Sequence, residues 1–185
     1  HHFRNEGDGA AHAAFAAFCA QGGAALSRFA EFEALRLAAP LERGRSGPWR
    51  DWSAEWREAH STVRQAFRED EAEAIQFQCW LQWVAATQLE NAAAAAHAAG
   101  MRIGLYRDLA VGAARDSAET WSDPELFAPG ISVGAPPDML NRQGQSWGLP
   151  PWNPPALAQQ GYLAFRQLLA ANMRAAGALR IDHVM

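Results

Sequence analysis

Apolar residues recur at helical spacing near the start of the chain. Phe29, Phe32 and Leu35 stand at positions i, i+3 and i+6 and form one apolar stripe. Such a stripe is typical of an amphipathic helix with one buried face. We therefore predict a helix over about residues 24–38, preceded by a shorter helix over about residues 10–20.

The longest helical pattern runs from Asp70 to Ala99. Acidic residues occupy its first turn, where they complement the partial positive charge of a helix N-terminus, and Gly100 follows its last turn. Together with the earlier helices, this pattern predicts an all-helical subdomain over residues 1–99 that leads into a barrel helix.

The spacing of apolar residues changes after Gly100. The changed spacing of residues 101–112 predicts a buried strand that runs into a loop. Residues 113–155 hold most of the prolines and show little periodicity, which predicts a long irregular loop of the kind that carries function. An amphipathic helix over residues 159–176 and a strand over residues 178–185 are predicted to follow.

The order of these elements predicts the fold class. Helix, strand, long loop, helix and strand follow one another in a (β/α)8 barrel, where the carboxyl ends of the strands carry the site. We therefore predict an α/β protein whose residues 100–185 form a partial TIM barrel with two strands, a long active-site loop and one helix. A full barrel needs about 250 residues. We expect the 185-residue chain to be a piece of a larger enzyme, whose unpaired strand edges favour self-association.

Composition and charge exclude several partners. The 20 acidic and 16 basic residues give a net charge of −4, without the basic stripe that tracks a nucleic-acid backbone. No apolar run approaches the ~18 residues of a membrane span. Cys19 and Cys79 fit neither a disulfide framework nor a zinc site, so we expect reduced thiols and a cytoplasmic protein. The first residues are neither a signal peptide nor an initiator sequence, and we expect a trimmed end there.

Eight tryptophans are many for this length. An aromatic ring can stack on the apolar face of a sugar as well as on another ring. Trp49, Trp52 and Trp56 follow one another at three- and four-residue spacing. This spacing favours a small core over a ligand platform.

The last residues of the chain carry the strongest chemical signal. Period-2 alternation places Arg180 and Asp182 on one face of the terminal strand. A carboxylate beside a fixed cation stays ionised, which is the state that a nucleophile needs. The alternative is that the two residues form only a structural ion pair.

Five short motifs follow one another in an order that is known from one family. They are GLYRDLAVG at residues 104–112, AETW at 118–121, SVGAPPD at 132–138, GQSWGLPPW at 144–152 and GALRIDHVM at 177–185. In this order they resemble the 4-α-glucanotransferases, also called amylomaltases or disproportionating enzymes, of the bacterial maltodextrin-using type. The resemblance covers roughly residues 32–185 and is densest after Gly100.

The resemblance implies a retaining transfer of α-1,4-glucan segments between maltodextrins, without a metal or an organic cofactor. In the family, the aspartate of the last motif is the nucleophile that attacks the anomeric carbon, which implies this role for Asp182. Arg180 would hydrogen-bond Asp182 and keep it anionic, and His183 would contact a sugar hydroxyl or shape the floor of the site. The family's general acid, a glutamate, and a further aspartate would lie beyond Met185.

Four further residues resemble glucan contacts of the family. Asp108 resembles a carboxylate that touches the donor sugar or supports the nucleophile, and the alternative is a capping residue or an ion pair with Arg107. Asp138, Gln145 and Trp147 lie in a stretch that resembles the lid-like loop over the active site. The alternative for the tryptophans of this stretch is that they only hold the loop against the barrel.

Three interpretations of function stay open. The first is a 4-α-glucanotransferase, and the second is a retaining α-glucan hydrolase or debranching enzyme that shares the nucleophile but uses water. The third is a non-catalytic glucan-binding or structural fragment, because one member of a catalytic set supports little activity without its partners. Glu119 and Trp121, within the second motif, receive no role beyond packing.

Overall fold

The computed structural model describes residues 9–38, 45 and 47–182. It divides into two compact units, His1–Thr87 and Gln88–Met185. The boundary predicted after residue 99 stays a prediction, and the last three residues of the predicted terminal strand, including His183, lie outside the described residues. No helix within the described ranges combines the length and the apolar character that crossing a membrane requires.

Helices form the first unit. The elements are α1 (Gly9–Leu37), a 3-10 turn (Trp49–Asp51), α2 (Ala54–Arg57), α3 (Thr62–Asp70) and α4 (Ala72–Ala98), whose last residues belong to the second unit. The two helices predicted over residues 10–20 and 24–38 are one element, α1, interrupted at Gly23 with φ 51° and ψ −142°. The long helix predicted from Asp70 is confirmed as α4.

Aromatic side chains build the core of the first unit. Trp49, Trp52 and Trp56 are all buried, as their spacing predicts. The ring of Phe32 stacks on Trp52 at 5.9 Å between centroids, and Trp56 meets Phe67 edge to face at 5.9 Å. The small core predicted for this tryptophan set is therefore confirmed.

The same core holds a charged group of Glu31, Arg64 and Arg68, here called the buried triad because Glu31 and Arg64 are buried. The third side chain, Arg68, is 38% exposed. Arg64 Nε donates to Glu31 Oε1 at 2.8 Å, and Arg68 Nη1 donates to the same oxygen at 3.2 Å. The side chains of Glu31 and Arg64 are only 6% and 4% exposed. A buried charge is tolerated when it is paired and hydrogen-bonded, and the triad meets this condition.

The second unit mixes strands and short helices. The elements are β1 (Tyr106–Asp108), α5 (Ala118–Ser122), a 3-10 turn (Pro124–Leu126), β2 (Val133–Ala135), β3 (Gln145–Leu149), α6 (Pro154–Gln159), α7 (Leu163–Met173) and β4 (Ala178–Arg180). β1 and β4 pair in parallel, and β2 and β3 form an antiparallel hairpin. The α/β class is therefore confirmed, whereas two parallel strands do not by themselves form a barrel.

Several predicted boundaries in this unit are wrong. The loop predicted as irregular over residues 113–155 contains α5 and the β2–β3 hairpin, and the helix predicted over residues 159–176 is two helices separated at Tyr162, with φ 58°. The hairpin escapes prediction because β2 has only three residues, one of them Gly134. A Cβ at Gly134 would lie 1.9 Å from the carbonyl oxygen of Gln145, so close strand approach requires glycine there.

Glycine also fixes the entry of β4 into its sheet. A Cβ built at Gly177 would lie 1.5 Å from the carbonyl oxygen of Ile103, so no other residue fits without a shift of the backbone. The amide of Gly177 donates to the carbonyl of Leu105 at 2.9 Å. This contact starts the parallel pairing that brings the ends of β1 and β4 together.

Candidate active site

Two carboxylates and one guanidinium meet at the carboxyl ends of β1 and β4. The parallel register sets Asp108 directly opposite Arg180, and the amide of Leu109 donates to the Arg180 carbonyl at 2.9 Å. Asp182 follows two residues later, on the same face as Arg180. The sheet therefore gathers onto one edge three residues that the sequence places at two distant positions.

Arg180 bridges the two carboxylates, and the three residues are called the exposed triad below. Its Nη1 lies 3.0 Å from both Asp108 oxygens, and its Nη2 donates to Asp182 Oδ2. The hydrogen bond and charge of Asp108, followed by the charge of Asp182, raise the pKa of Arg180 above its ordinary value. The side chains of Asp108 and Asp182 are 63% and 41% exposed, so a ligand can reach both carboxylates.

Arg107 does not take part in this cluster. Its Nη1 donates to the carbonyl of Asn172 at 3.0 Å, in the last turn of α7. Cations near a helix C-terminus satisfy carbonyls that have no partner within the helix. The ion pair of Asp108 is therefore made with Arg180, and the alternative pairing with Arg107 is not the arrangement observed.

Asp182 lines a cavity of about 220 Å³ in the second unit. The cavity is walled by the loop after β1 (residues 109–113), Glu119, Trp152, Phe165, Leu168, Ile181 and Asp182. Glu119 is a residue that sequence reasoning left without a role, because its position within a short helix of an apparently irregular segment gave no chemical signal. Surrounding protein raises the pKa of the Glu119 carboxyl by desolvation.

Asp138 shapes the tip of the β2–β3 hairpin. Its Oδ1 accepts hydrogen bonds from the amides of Leu140 and Asn141, at 2.8 and 2.6 Å. An aspartate that accepts from the backbone two or three residues later closes a tight turn. The turn holds Met139 and Leu140 with 96% and 99% of their surfaces exposed.

The remaining candidates on the hairpin contact each other. Trp147 Nε1 donates to Gln145 Oε1 at 2.9 Å on β3, where Gln145 is exposed and Trp147 is half-buried. Trp152 instead stacks on Phe127 at 4.9 Å and meets Phe165 edge to face at 6.4 Å. Packing therefore accounts for Trp152, whereas Gln145 and Trp147 keep polar atoms near the surface.

The described part of the chain brings no three His, Cys, Asp or Glu side chains together as a metal-binding group. The two described thiols, Cys19 and Cys79, are not joined in a disulfide. Burial, followed by the influence of Cys19, raises the pKa of Cys79 to about 11, so this thiol is a weak nucleophile at neutral pH.

Comparison with known proteins identifies a family and relatives of this chain. Residues 1–185 match the model of a protein family described as 4-alpha-glucanotransferase. The 4-alpha-glucanotransferase of Haemophilus influenzae is 45% identical over 137 residues, which make up 74% of this chain and 20% of that protein. The chain thus spans about a fifth of the length of this relative.

Solved structures have the same fold over nearly the whole chain. The crystal structure of amylomaltase from Corynebacterium glutamicum superposes with a TM-score of 0.75 and 36% sequence identity. The match covers 96% of this chain and 22% of the amylomaltase chain. The amylomaltase from Streptococcus agalactiae in complex with acarbose matches 95% of this chain and 35% of its own, with a TM-score of 0.79. Its identity is 22%, so this second likeness shows the fold alone.

Proposed function

This chain belongs to the 4-alpha-glucanotransferase family, and from that premise we propose that the protein containing it transfers α-1,4-glucan segments between maltodextrins by a retaining double displacement. The observation that carries the proposal is the exposed triad, in which an arginine holds two accessible carboxylates at the ends of two parallel strands. The chain spans about a fifth of its Haemophilus relative, so the activity is proposed for the whole protein.

In the proposed reaction, Asp182 attacks the anomeric carbon of the donor glucan. A bond forms between its carboxylate oxygen and that carbon, and the glycosidic bond breaks, while an acid protonates the departing oxygen. The 4-hydroxyl of an acceptor sugar then displaces the carboxylate and gives its proton to the same acid residue, which acts as the base in this second step. The configuration is retained because the carbon is inverted twice, and the acid belongs to a part of the protein outside this chain.

The proposal gives Arg180 and Asp108 supporting roles. Arg180 holds the Asp182 carboxylate through a charge-assisted hydrogen bond, which limits its rotation before attack. Asp108 accepts from the other terminal nitrogen of the guanidinium, Nη1. Its side chain is 63% exposed and can also accept from a donor-sugar hydroxyl. A shared arginine therefore couples the orientation of a sugar-binding carboxylate to that of the nucleophile.

The hairpin residues Asp138, Gln145 and Trp147, together with His183, are proposed to contact or to order the glucan. Support comes from the turn that Asp138 closes and from the hydrogen bond between Gln145 and Trp147, which preorganise a polar surface. In this proposal the hairpin lies over the site and restricts water, which competes with the acceptor sugar. This restriction separates transfer from hydrolysis.

We also propose that β1 and β4 are neighbouring strands of a TIM barrel. Their parallel pairing, the helices between them and the cluster at their carboxyl ends all suit that fold. The likeness to the Corynebacterium glutamicum amylomaltase adds support. Cytoplasmic location, self-association through strand edges and the lack of nucleic-acid partners stay predictions from the sequence.

The test is Asp182→Asn in the full-length protein with maltotriose as substrate. Transfer produces glucose and maltopentaose, and we expect Asn to reduce it by several orders of magnitude because an amide is a poor nucleophile. Asp116→Asn, an exposed aspartate outside the proposed machinery, is the matched control. Transfer that survives Asp182→Asn contradicts the assignment, and glucose release without longer products favours a hydrolase.

A further inference from the structure

The cavity lined by Asp182 holds a second carboxylate that the proposed mechanism does not use. Apart from Asp182 and Glu119, its walls are apolar side chains and backbone. Its volume of about 220 Å³ is well above the ~10–15 Å³ that one water molecule needs on the same measure. A group with polar and apolar surfaces can therefore enter beside the nucleophile.

Glu119 is held in place by the residues around it. Its neighbours in α5, Ala118, Thr120 and Trp121, are 7%, 0% and 3% exposed. The hydroxyl of Thr120 donates to the carbonyl of Arg115 at 2.8 Å, which ties the helix to the preceding turn. Because the backbone on both sides of Glu119 is held in place, the start of its side chain is fixed, and the side chain forms part of the cavity wall.

The Glu119 carboxyl has no partner among the residues that the structure describes, neither a hydrogen-bond donor nor a cation. Glu119 is an exposed residue that lines the cavity, yet the surrounding protein partly desolvates its carboxyl and raises its pKa. A partly desolvated carboxyl without a protein partner has a free-energy cost that a ligand donor can offset. The exposed triad differs in this respect, since Arg180 already balances Asp182.

We propose that Glu119 is a substrate-binding residue that hydrogen-bonds a hydroxyl group of the glucosyl unit attacked by Asp182. This inference rests on the proposed function and assigns one more contact to the same site. A carboxylate accepts from a sugar hydroxyl, and the protonated acid can also donate to one. The apolar walls, such as Leu109 and Ile181, suit the C–H faces of a pyranose ring.

The experiment combines Glu119→Leu with monodeoxy maltotrioses, each lacking one hydroxyl, in the full-length enzyme. Losing a hydrogen bond to a charged group should lower kcat/KM for maltotriose by roughly 10- to 100-fold. For one monodeoxy substrate, the wild-type enzyme should show a similar loss, and Glu119→Leu should cause little further loss. Such non-additivity identifies a direct contact, whereas a structural effect acts on all substrates alike.

Glu125→Leu is the matched control, because Glu125 is exposed on the following turn and does not line the cavity. If Glu119→Leu fails to fold, Glu119→Gln takes its place, with a smaller loss and the same non-additivity expected. If Glu119→Leu lowers kcat/KM by the same factor for maltotriose and for every monodeoxy substrate, the Glu119 contact is wrong and the proposed function is unaffected. If the Asp182→Asn variant transfers glucan as fast as the wild-type enzyme, both the proposed function and this inference are wrong.

Discussion

Two charged triads of opposite composition occupy the two units of the chain. In the buried triad, one carboxylate lies between two arginines, and Glu31 and Arg64 are 6% and 4% exposed while Arg68, at the edge of the core, is 38% exposed. In the exposed triad, one arginine lies between two carboxylates, and Arg180 is 47% exposed. The residue types and the hydrogen bonds are similar, while water has little access to the one carboxylate of the first triad and ready access to both carboxylates of the second.

This difference separates a stabilising role from a functional one. Removing one partner of a buried pair leaves an uncompensated charge in a medium that solvates it poorly. Exposed ion pairs contribute little to folding, because water screens them and their side chains lose entropy. The accessible oxygens of Asp108 and Asp182 are therefore better explained by a ligand than by stability.

The strongest test of the comparison is Glu31→Ala. This change removes the carboxylate that pairs with buried Arg64 in the aromatic core. We therefore expect the free energy of unfolding to fall by about 3–5 kcal/mol. Urea denaturation followed by circular dichroism measures the loss. Arg36→Ala is the control, because Arg36 pairs with Glu33 at 2.7 Å while 54% exposed. An equally large loss for both variants would show that burial does not distinguish the pairs.

The converse test is Arg180→Lys. Lysine keeps the charge but lacks the planar fork that reaches Asp108 and Asp182 together. We expect transfer to fall by roughly 10- to 100-fold with an unchanged melting temperature. The measurement pairs maltotriose kinetics with thermal unfolding. A lower melting temperature with normal kinetics would make this triad structural, like the buried one.

A smaller effect is expected at Asp138, a carboxylate that is satisfied by backbone amides and not by arginine. Asp138→Asn keeps the oxygen that accepts from Leu140 and Asn141, whereas Asp138→Ala removes it. We expect Ala to destabilise the hairpin by about 1 kcal/mol and Asn to have little effect, with limited proteolysis of the hairpin as the readout. If Asn raises the KM for maltotriose as much as Ala does, the charge itself contacts the glucan.

The sequence predicts some features well because their causes are local. The long helix α4 follows from a long run of strong helix formers that ends before Gly100, and the shared face of Arg180 and Asp182 follows from strand alternation. The buried tryptophan set follows from its spacing alone. Each of these features is decided by residues a few positions apart.

Other features depend on tertiary contacts that no local pattern reveals. The pairing of Asp108 with Arg180 joins residues 72 positions apart, and that of Glu31 with Arg64 joins residues 33 apart. Strand β2 needs Gly134 for close approach, so the residue that makes the hairpin possible also weakens its sequence signal. Glu119 gains its significance only from the cavity that distant segments form around it.

The distance along the chain between β1 and β4 also has a consequence during protein synthesis. Asp108 leaves the ribosome 72 residues before Arg180. At about 5–20 residues per second, translation leaves β1 without this partner for roughly 4–14 s. An unpaired strand edge invites association with other chains. The nascent protein therefore passes through an interval in which β4, the strand that carries Arg180, has not yet been synthesised and the edge of β1 can bind a chaperone.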